Sequence, residues 1–163
     1  MIRNQNEFGG GATIFKIIDK FLKLLVVIVG RFRTSHLTRP KSILIIKLAA
    51  MGDAICLMPS LRLLKESNPH IEIDWLTTQK SCPSLFDKCG FIRKIYAIPS
   101  SKGFVGSALY FVEFLTKIRR YDLLVDFDQY YRVSELVALL GKSSAGFLTP
   151  IKGRFYDLNS EYD

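Results

Sequence analysis

Histidine and cysteine are scarce in this chain: among 163 residues the histidines are His36 and His70, and the cysteines are Cys56, Cys82 and Cys89. Neither set has the spacing of a zinc site, so no protein-ligated metal is expected, and an odd number of cysteines argues against a disulfide framework. The pattern suits a reducing compartment, with Cys56 a core residue of a helix rather than a reactive thiol. Several motifs are missing altogether. There is no GxSxG elbow, no GxxxxGK[ST] phosphate loop, no HExxH and no GxGxxG after the first strand, which removes the usual support for a dehydrogenase or a nucleotide hydrolase. No internal repeat is visible. Acidic residues are few in one region: residues 1–47 hold nine Lys or Arg against two acids, whereas 48–163 hold fourteen against thirteen. The net charge of +8 is therefore a property of the N-terminal segment. The nearly neutral remainder has no basic stripe with interleaved aromatics, so no nucleic-acid partner is expected.

What is present is a strong strand, loop, helix, strand pattern in SILIIKLAAMGDAICLMPSLRLLKESNPHIEIDWLTT, residues 42–78. The β-branched and leucine run at 43–46 reads as a strand buried on both faces. Gly52 and Asp53 turn the chain into a helix, Gly52 by its backbone freedom and Asp53 as a cap for the first free N–H groups. Ala54, Leu57, Met58, Leu61 and Leu64 give that helix an apolar stripe, and Asn68-Pro69 ends it. Ile71, Ile73, Trp75 and Leu76 form the next strand. Further strands are expected at 92–98, 123–127 and 145–148, and further helices at 105–120, with Leu109, Val112, Leu115 and Ile118 or neighbouring aromatics inward, and at 132–140. A loop with one short helix joins the second and third strands. Alternating strands and helices predict an α/β Rossmann-like parallel sheet with flanking helices, formed by one domain that buries roughly 70% of its unfolded surface.

Ahead of this domain, residues 1–13 read as a flexible tail containing Gly9, Gly10 and Gly11, and 34–41 as a linker. Between them, 14–33 is an amphipathic helix with Lys16, Asp19, Lys20 and Lys23 on a narrow polar stripe. It has too few uninterrupted apolar residues for a span of about 20. The favoured expectation is a helix lying in the interface of an anionic cytoplasmic leaflet. A helix packed on the domain's own surface and a signal peptide are the alternatives.

Acidic residues fall at two strand carboxyl ends: Asp53, and Asp126 with Asp128 in DLLVDFDQYYR. Such an edge supplies a general base, or else Asp53 is only a helix cap and Asp126 or Asp128 pairs with Arg132 or caps the next helix.

The segment ILIIKLAAMGDAICLMPSLRLLKESNPHIEIDWL resembles the opening of family 9 glycosyltransferases, the ADP-heptose:lipopolysaccharide heptosyltransferase family. That opening is a strand, a loop ending in Gly-Asp, here Gly52 and Asp53, and a helix containing a proline, here Pro59. YDLLVDFDQYYRVSELVALLGKSSAGF is similar to the family's second strand, acidic turn and helix, and IDKFLKLLVVIVGRFR resembles an N-terminal extension of one branch. Ala49 and Ala50 stand where the family often has hydroxyl residues, and Tyr130 and Tyr131 make the second loop bulkier.

The resemblance implies a GT-B enzyme in which 42–163 is the Rossmann-like acceptor-side domain. Transfer would be inverting, without cofactor or metal, from a nucleotide sugar, ADP-linked as in ADP-heptose, to a lipopolysaccharide-type or other glycan or glycolipid acceptor. Asp53 matches the proposed catalytic base, and Lys47, Gly52, Asp128 and Arg132 are the expected substrate-binding positions. Only sixteen residues follow Phe147. The resemblance therefore implies a truncated GT-B that lacks its C-terminal donor domain and is inactive by itself, peripheral at the cytoplasmic face of the inner membrane. The rival expectation is a non-catalytic, membrane-associated Rossmann-like binding module. A soluble domain binding a small anion at the Asp53 helix terminus is disfavoured by the adjacent carboxylate.

Overall fold

The computed structural model describes residues 11–32, 39–48, 50–79, 83–99, 103–129, 132–150 and 152–161. Its elements are α1 (Gly11–Phe32), β1 (Ser42–Ile46), α2 (Met51–Ser67), β2 (Glu72–Thr78), a 3-10 turn (Pro83–Leu85), β3 (Lys94–Ile98), α3 (Gly103–Ile118), β4 (Leu123–Asp126), α4 (Arg132–Leu139), β5 (Ser143–Leu148) and β6 (Leu158–Glu161). Most of the expected tail and linker falls outside the described residues, as do Ala49, Cys82, His36, Tyr130 and Tyr131.

All six strands are parallel, in the order β3-β2-β1-β4-β5-β6. This is the doubly wound Rossmann order, and its direction reverses between β1 and β4. The alternation of side chains along β1 separates two cores. Leu44 and Ile46 face a cluster containing Phe114 and Ile118 of α3, Leu124 of β4, Val137 to Leu139 of α4 and Val26 of α1. Ile43 and Ile45 face Ala54 and Leu61 of α2, with Ile73, Trp75 and Phe86. Phe86 stacks on Trp75 with ring centroids 5.2 Å apart, so the loop between β2 and β3 closes that face without a long crossover helix.

Several expectations are corrected. Leu109 and Val112 are exposed, whereas Leu115 and Ile118 face inward as expected, together with the neighbouring aromatics Phe111 and Phe114. GFVGSALYFVEFLTKI is apolar nearly all round, so its periodicity selects no face. Cys56 is exposed rather than buried, because α2 rests on Ala54 and Leu61 and position 56 points away. The third strand starts at Lys94, since the Ile92 N–H closes a turn onto the Cys89 carbonyl at 3.0 Å. The sixth strand, β6, was not expected; its LNSE is exposed throughout and carries no apolar alternation.

Two acids, Asp122 half-buried and Asp74 fully buried, fasten the strands near their amino ends. Asp122 Oδ2 accepts from the backbone N–H groups of Lys41 (3.0 Å) and Ser42 (3.2 Å), and its Oδ1 accepts from Lys142 Nζ at 2.8 Å, so one carboxylate ties β1, β4 and β5. Asp74, fully buried in β2, takes Arg93 in a two-pronged pair (2.9 and 2.7 Å) and the Tyr121 hydroxyl at 2.5 Å. The Lys142 ammonium, helped by the Lys41 backbone N–H and the Ser42 hydroxyl and opposed by partial burial, holds the Asp122 carboxyl down to about 2. A folded-state value below the unfolded one of about 3.9 stabilises the fold above that pH, and the contribution fades as pH falls toward 2. Asp122→Asn is expected to cost about 2 kcal/mol at pH 7 and to narrow its deficit between pH 4 and pH 2. Urea denaturation across that range measures both; an unchanged deficit at pH 2 contradicts the assignment.

Candidate active site at the switch point

Lys47 follows β1 directly and is only 4% exposed. Its backbone N–H bonds the Leu76 carbonyl at 3.1 Å and its carbonyl receives the Trp75 indole N–H at 3.5 Å. The Thr78 hydroxyl bonds the next carbonyl, that of Leu48, at 2.8 Å. The start of the loop is thus fixed to β2. From this anchor the ammonium reaches Asp53 Oδ2 at 2.9 Å, Asp128 Oδ1 at 3.8 Å and the Phe127 carbonyl at 3.4 Å.

Two carboxylates therefore share one cation in different surroundings. The Asp128 side chain is 3% exposed and its Oδ2 accepts the Leu48 N–H at 2.5 Å. Burial pushes its carboxyl upward, against the pull of that N–H, with Asp126 adding to the rise and Lys47 opposing it. The Asp53 side chain is 55% exposed and open to an incoming molecule. It lies in the first turn of α2, where the helix dipole favours a negative charge.

The turn itself differs from expectation. Asp53 does not cap α2: the residue before the helix is Ala50, which makes no side-chain cap, and the carboxylate of Asp53 goes to Lys47. Nor does Gly52 supply the reversal. The left-handed backbone belongs to Ala50, at φ 65°, and Gly52 sits inside the helix with no atom within 4 Å of where a Cβ would stand. Gly52 instead leaves bare backbone beside Asp53, and the strained Ala50 is of the kind that persists where surrounding structure holds it.

The fold brings together Lys47, Gly52, Asp53 and Asp128. Arg132, at the start of α4, lines a separate pocket next to α1. Asp126 pairs with Lys152 rather than Arg132, at 2.7 Å with both side chains fully buried, and it also takes the Tyr156 hydroxyl at 2.5 Å. Asp126 Oδ1 accepts the Asp128 N–H at 2.9 Å, which positions Asp128. Lys152, Tyr156 and Glu135 were missed because they meet Asp126 or its neighbours only through the fold; a lysine beside Gly153 on the last loop carries no local signal of burial. Among the described residues no group of three His, Cys, Asp or Glu is arranged to hold a metal.

A doubly wound domain with a charged, half-open constellation at its switch point is a ligand-binding architecture. In comparisons with known proteins, no family model and no curated protein matches the chain. Solved structures do. The chain matches a glycosyl transferase family 9 protein from Veillonella parvula with a TM-score of 0.61 and 20% identity, over 76% of this chain and 36% of that one. It also matches the E. coli heptosyltransferase WaaC, solved with ADP, with a TM-score of 0.56 and 19% identity, over 74% of this chain and 41% of that one. The fold is thus that of part of these transferases, and the chain spans well under half the length of either.

Removal of Asp128 takes away a buried acceptor of the Leu48 N–H and one of the two carboxylates beside buried Lys47, so Asp128→Ala should destabilise the fold by about 3 kcal/mol. Asp53→Ala should cost about 1 kcal/mol or less, its carboxylate being largely solvated. Paired thermal and urea unfolding curves separate the two, and equal losses contradict this division between a supporting and an available carboxylate.

Proposed function

We propose that this chain is the acceptor-side domain of a family 9-type glycosyltransferase that moves a sugar from an ADP-linked donor to a glycan or glycolipid hydroxyl at a membrane surface. The observation that carries the reading is the exposed Asp53 carboxylate, set by buried Lys47 at the switch point of a sheet shared with family 9 structures. Asp53 accepts the proton of the acceptor hydroxyl as that oxygen bonds to the anomeric carbon from the side opposite the leaving group. The bond from that carbon to the nucleoside diphosphate breaks, the diphosphate leaves with the electron pair, and the sugar configuration inverts. A carboxylate is a weak base at neutral pH, so its effect comes from placement and from stabilising the charge that develops.

Lys47 has two tasks in this scheme. It aims Asp53, and its positive charge is near enough to attract an anionic group on the acceptor. Gly52 lets the acceptor approach the first turn of α2, where a side chain would stand in the way. The donor diphosphate is assigned to a second domain like that in the longer matched structures, supplied in the same chain or by a partner.

The test uses the chain together with a donor-side domain, with ADP-heptose as donor and a lipopolysaccharide core acceptor. Asp53→Asn should lower transfer by about 10²–10⁴-fold while acceptor binding to the chain, followed by NMR shifts around Gly52, changes little. Transfer that survives Asp53→Asn within a factor of two refutes the base assignment. Acceptor binding without any transfer by the wild type favours the binding-module reading.

A further inference from the structure

Helix α1 has two apolar faces. Leu22, Leu25, Val26, Val29 and Gly30 turn toward the domain, and Val26 joins the main core at 3% exposure. Gly30 lets the Phe155 ring lie against the helix, for a Cβ there would stand 2.4 Å from Phe155 Cγ. The helix is therefore docked in one rotation. The other face carries Phe21, Leu24, Ile28 and Phe32, at 60%, 56%, 45% and 81% exposure and spaced by three or four residues. No helix of the described residues is long and apolar enough to cross a membrane.

Between the two faces runs a basic stripe. Lys20, Lys23 and Arg31 are all exposed. The stripe continues into a pocket of about 190 Å³ between α1, the start of α4 and the loop after β5. Its charged lining is Lys23, Arg132, Lys152 and Arg154, with Glu135 as the one acid. Lys152 is engaged by Asp126 and Ser134, and Glu135 turns one oxygen onto the Gly153 N–H at 2.7 Å. The second Glu135 oxygen is buried and takes no hydrogen bond from the described residues, yet basic groups outnumber acidic ones in the lining, to which Val27 belongs as well.

From this arrangement we infer that α1 lies in the surface of an anionic phospholipid bilayer, its outer apolar face inserted, and that the pocket between α1 and α4 receives the phosphate of one lipid headgroup. The occupant is an anionic bilayer because the apolar stripe and the cationic pocket adjoin along one helix. A protein partner matching the apolar face alone would leave the basic stripe and pocket without a counterpart. The inference stands on α1 and its pocket and does not need the transferase reading, and its test measures no activity.

The experiment is co-sedimentation of the whole chain with phosphatidylcholine vesicles, with and without phosphatidylglycerol. Phosphatidylglycerol should be required, and Lys23→Glu with Arg154→Glu, both at exposed positions, should weaken binding roughly thirtyfold or more. Phe21→Ser with Phe32→Ser should abolish insertion while the melting temperature stays unchanged. If the charge reversal disturbs the melt, Lys23→Gln with Arg154→Gln replaces it, with a smaller loss expected. Soluble glycerol phosphate should not displace the chain from vesicles. Equal binding to both vesicle types, indifference to either pair of substitutions, or displacement by glycerol phosphate overturns the inference.

Discussion

A single buried carboxylate, that of Asp126, sets the geometry at the carboxyl edge of the sheet. One of its oxygens accepts the N–H of Asp128, and the other takes the ammonium of Lys152 and the hydroxyl of Tyr156. The first bond steers the chain as it leaves β4, so that Asp128 arrives beneath Lys47. The second pair draws in the loop after β5, which carries the residues that meet α1. Lys152 and Asp126 are both withdrawn from water, and such a pair is tolerable only when its remaining donors and acceptors are matched. Ser134 supplies one of those matches at 2.9 Å. Gly146 makes the arrangement possible, because a Cβ there would stand 2.5 Å from the Tyr156 ring and 2.9 Å from the Asp126 carbonyl oxygen. The burial of Tyr156, with Asp126 next to it, pushes the phenol far above its ordinary value and keeps it a donor at any physiological pH.

The carboxylates at this edge are not equivalent, and burial makes the difference. Asp126 and Asp128 are closed off and committed to neighbours, whereas Asp53 stands half in solvent with one oxygen on Lys47. Lys47 itself is immobilised by three contacts at its end and by β2 along its backbone, so it is a fixed positive charge rather than a flexible surface arm. A charge fixed in advance requires little reorganisation when a ligand arrives, which is what makes such groups effective in catalysis.

Much of this was legible in the residues and some was not. The ILII run could only be a strand with both faces covered, and the alternation of such runs with helical patterns gave the parallel sheet. The Gly-Asp pair was recognisable through its family likeness, while its local mechanics were misread: the sequence suggested a glycine turn and an aspartate cap, yet the left-handed residue is Ala50 and the aspartate serves a lysine six positions back. Propensity favours glycine at such a φ, and tertiary contacts around the loop override it. Asp74 carries a local signal, since an aspartate between Ile73 and Trp75 in a buried strand requires a buried partner. Its partners, Arg93 and Tyr121, are nineteen and forty-seven residues away. Contacts of that range are fixed by the sheet order and have no periodicity to reveal them.

The two-sided character of α1 follows from the same long-range logic. The helix is apolar on every side at 24–29, and the fold buries only part of it. Docking through Val26 and Gly30 fixes which half is left, and it also fixes where the basic stripe points. That stripe leads to the start of α4 and the loop after β5, both of which leave the carboxyl edge of the sheet, the edge that also carries Asp53. The exposed face of α1 and the candidate base are thus parts of one docked body rather than ends of a flexible tether. Under the proposed docking of α1 in a bilayer, the distance from the lipid surface to the carboxylate is set by packing, with Phe155 against Gly30 and Asp126 behind the loop that presents it.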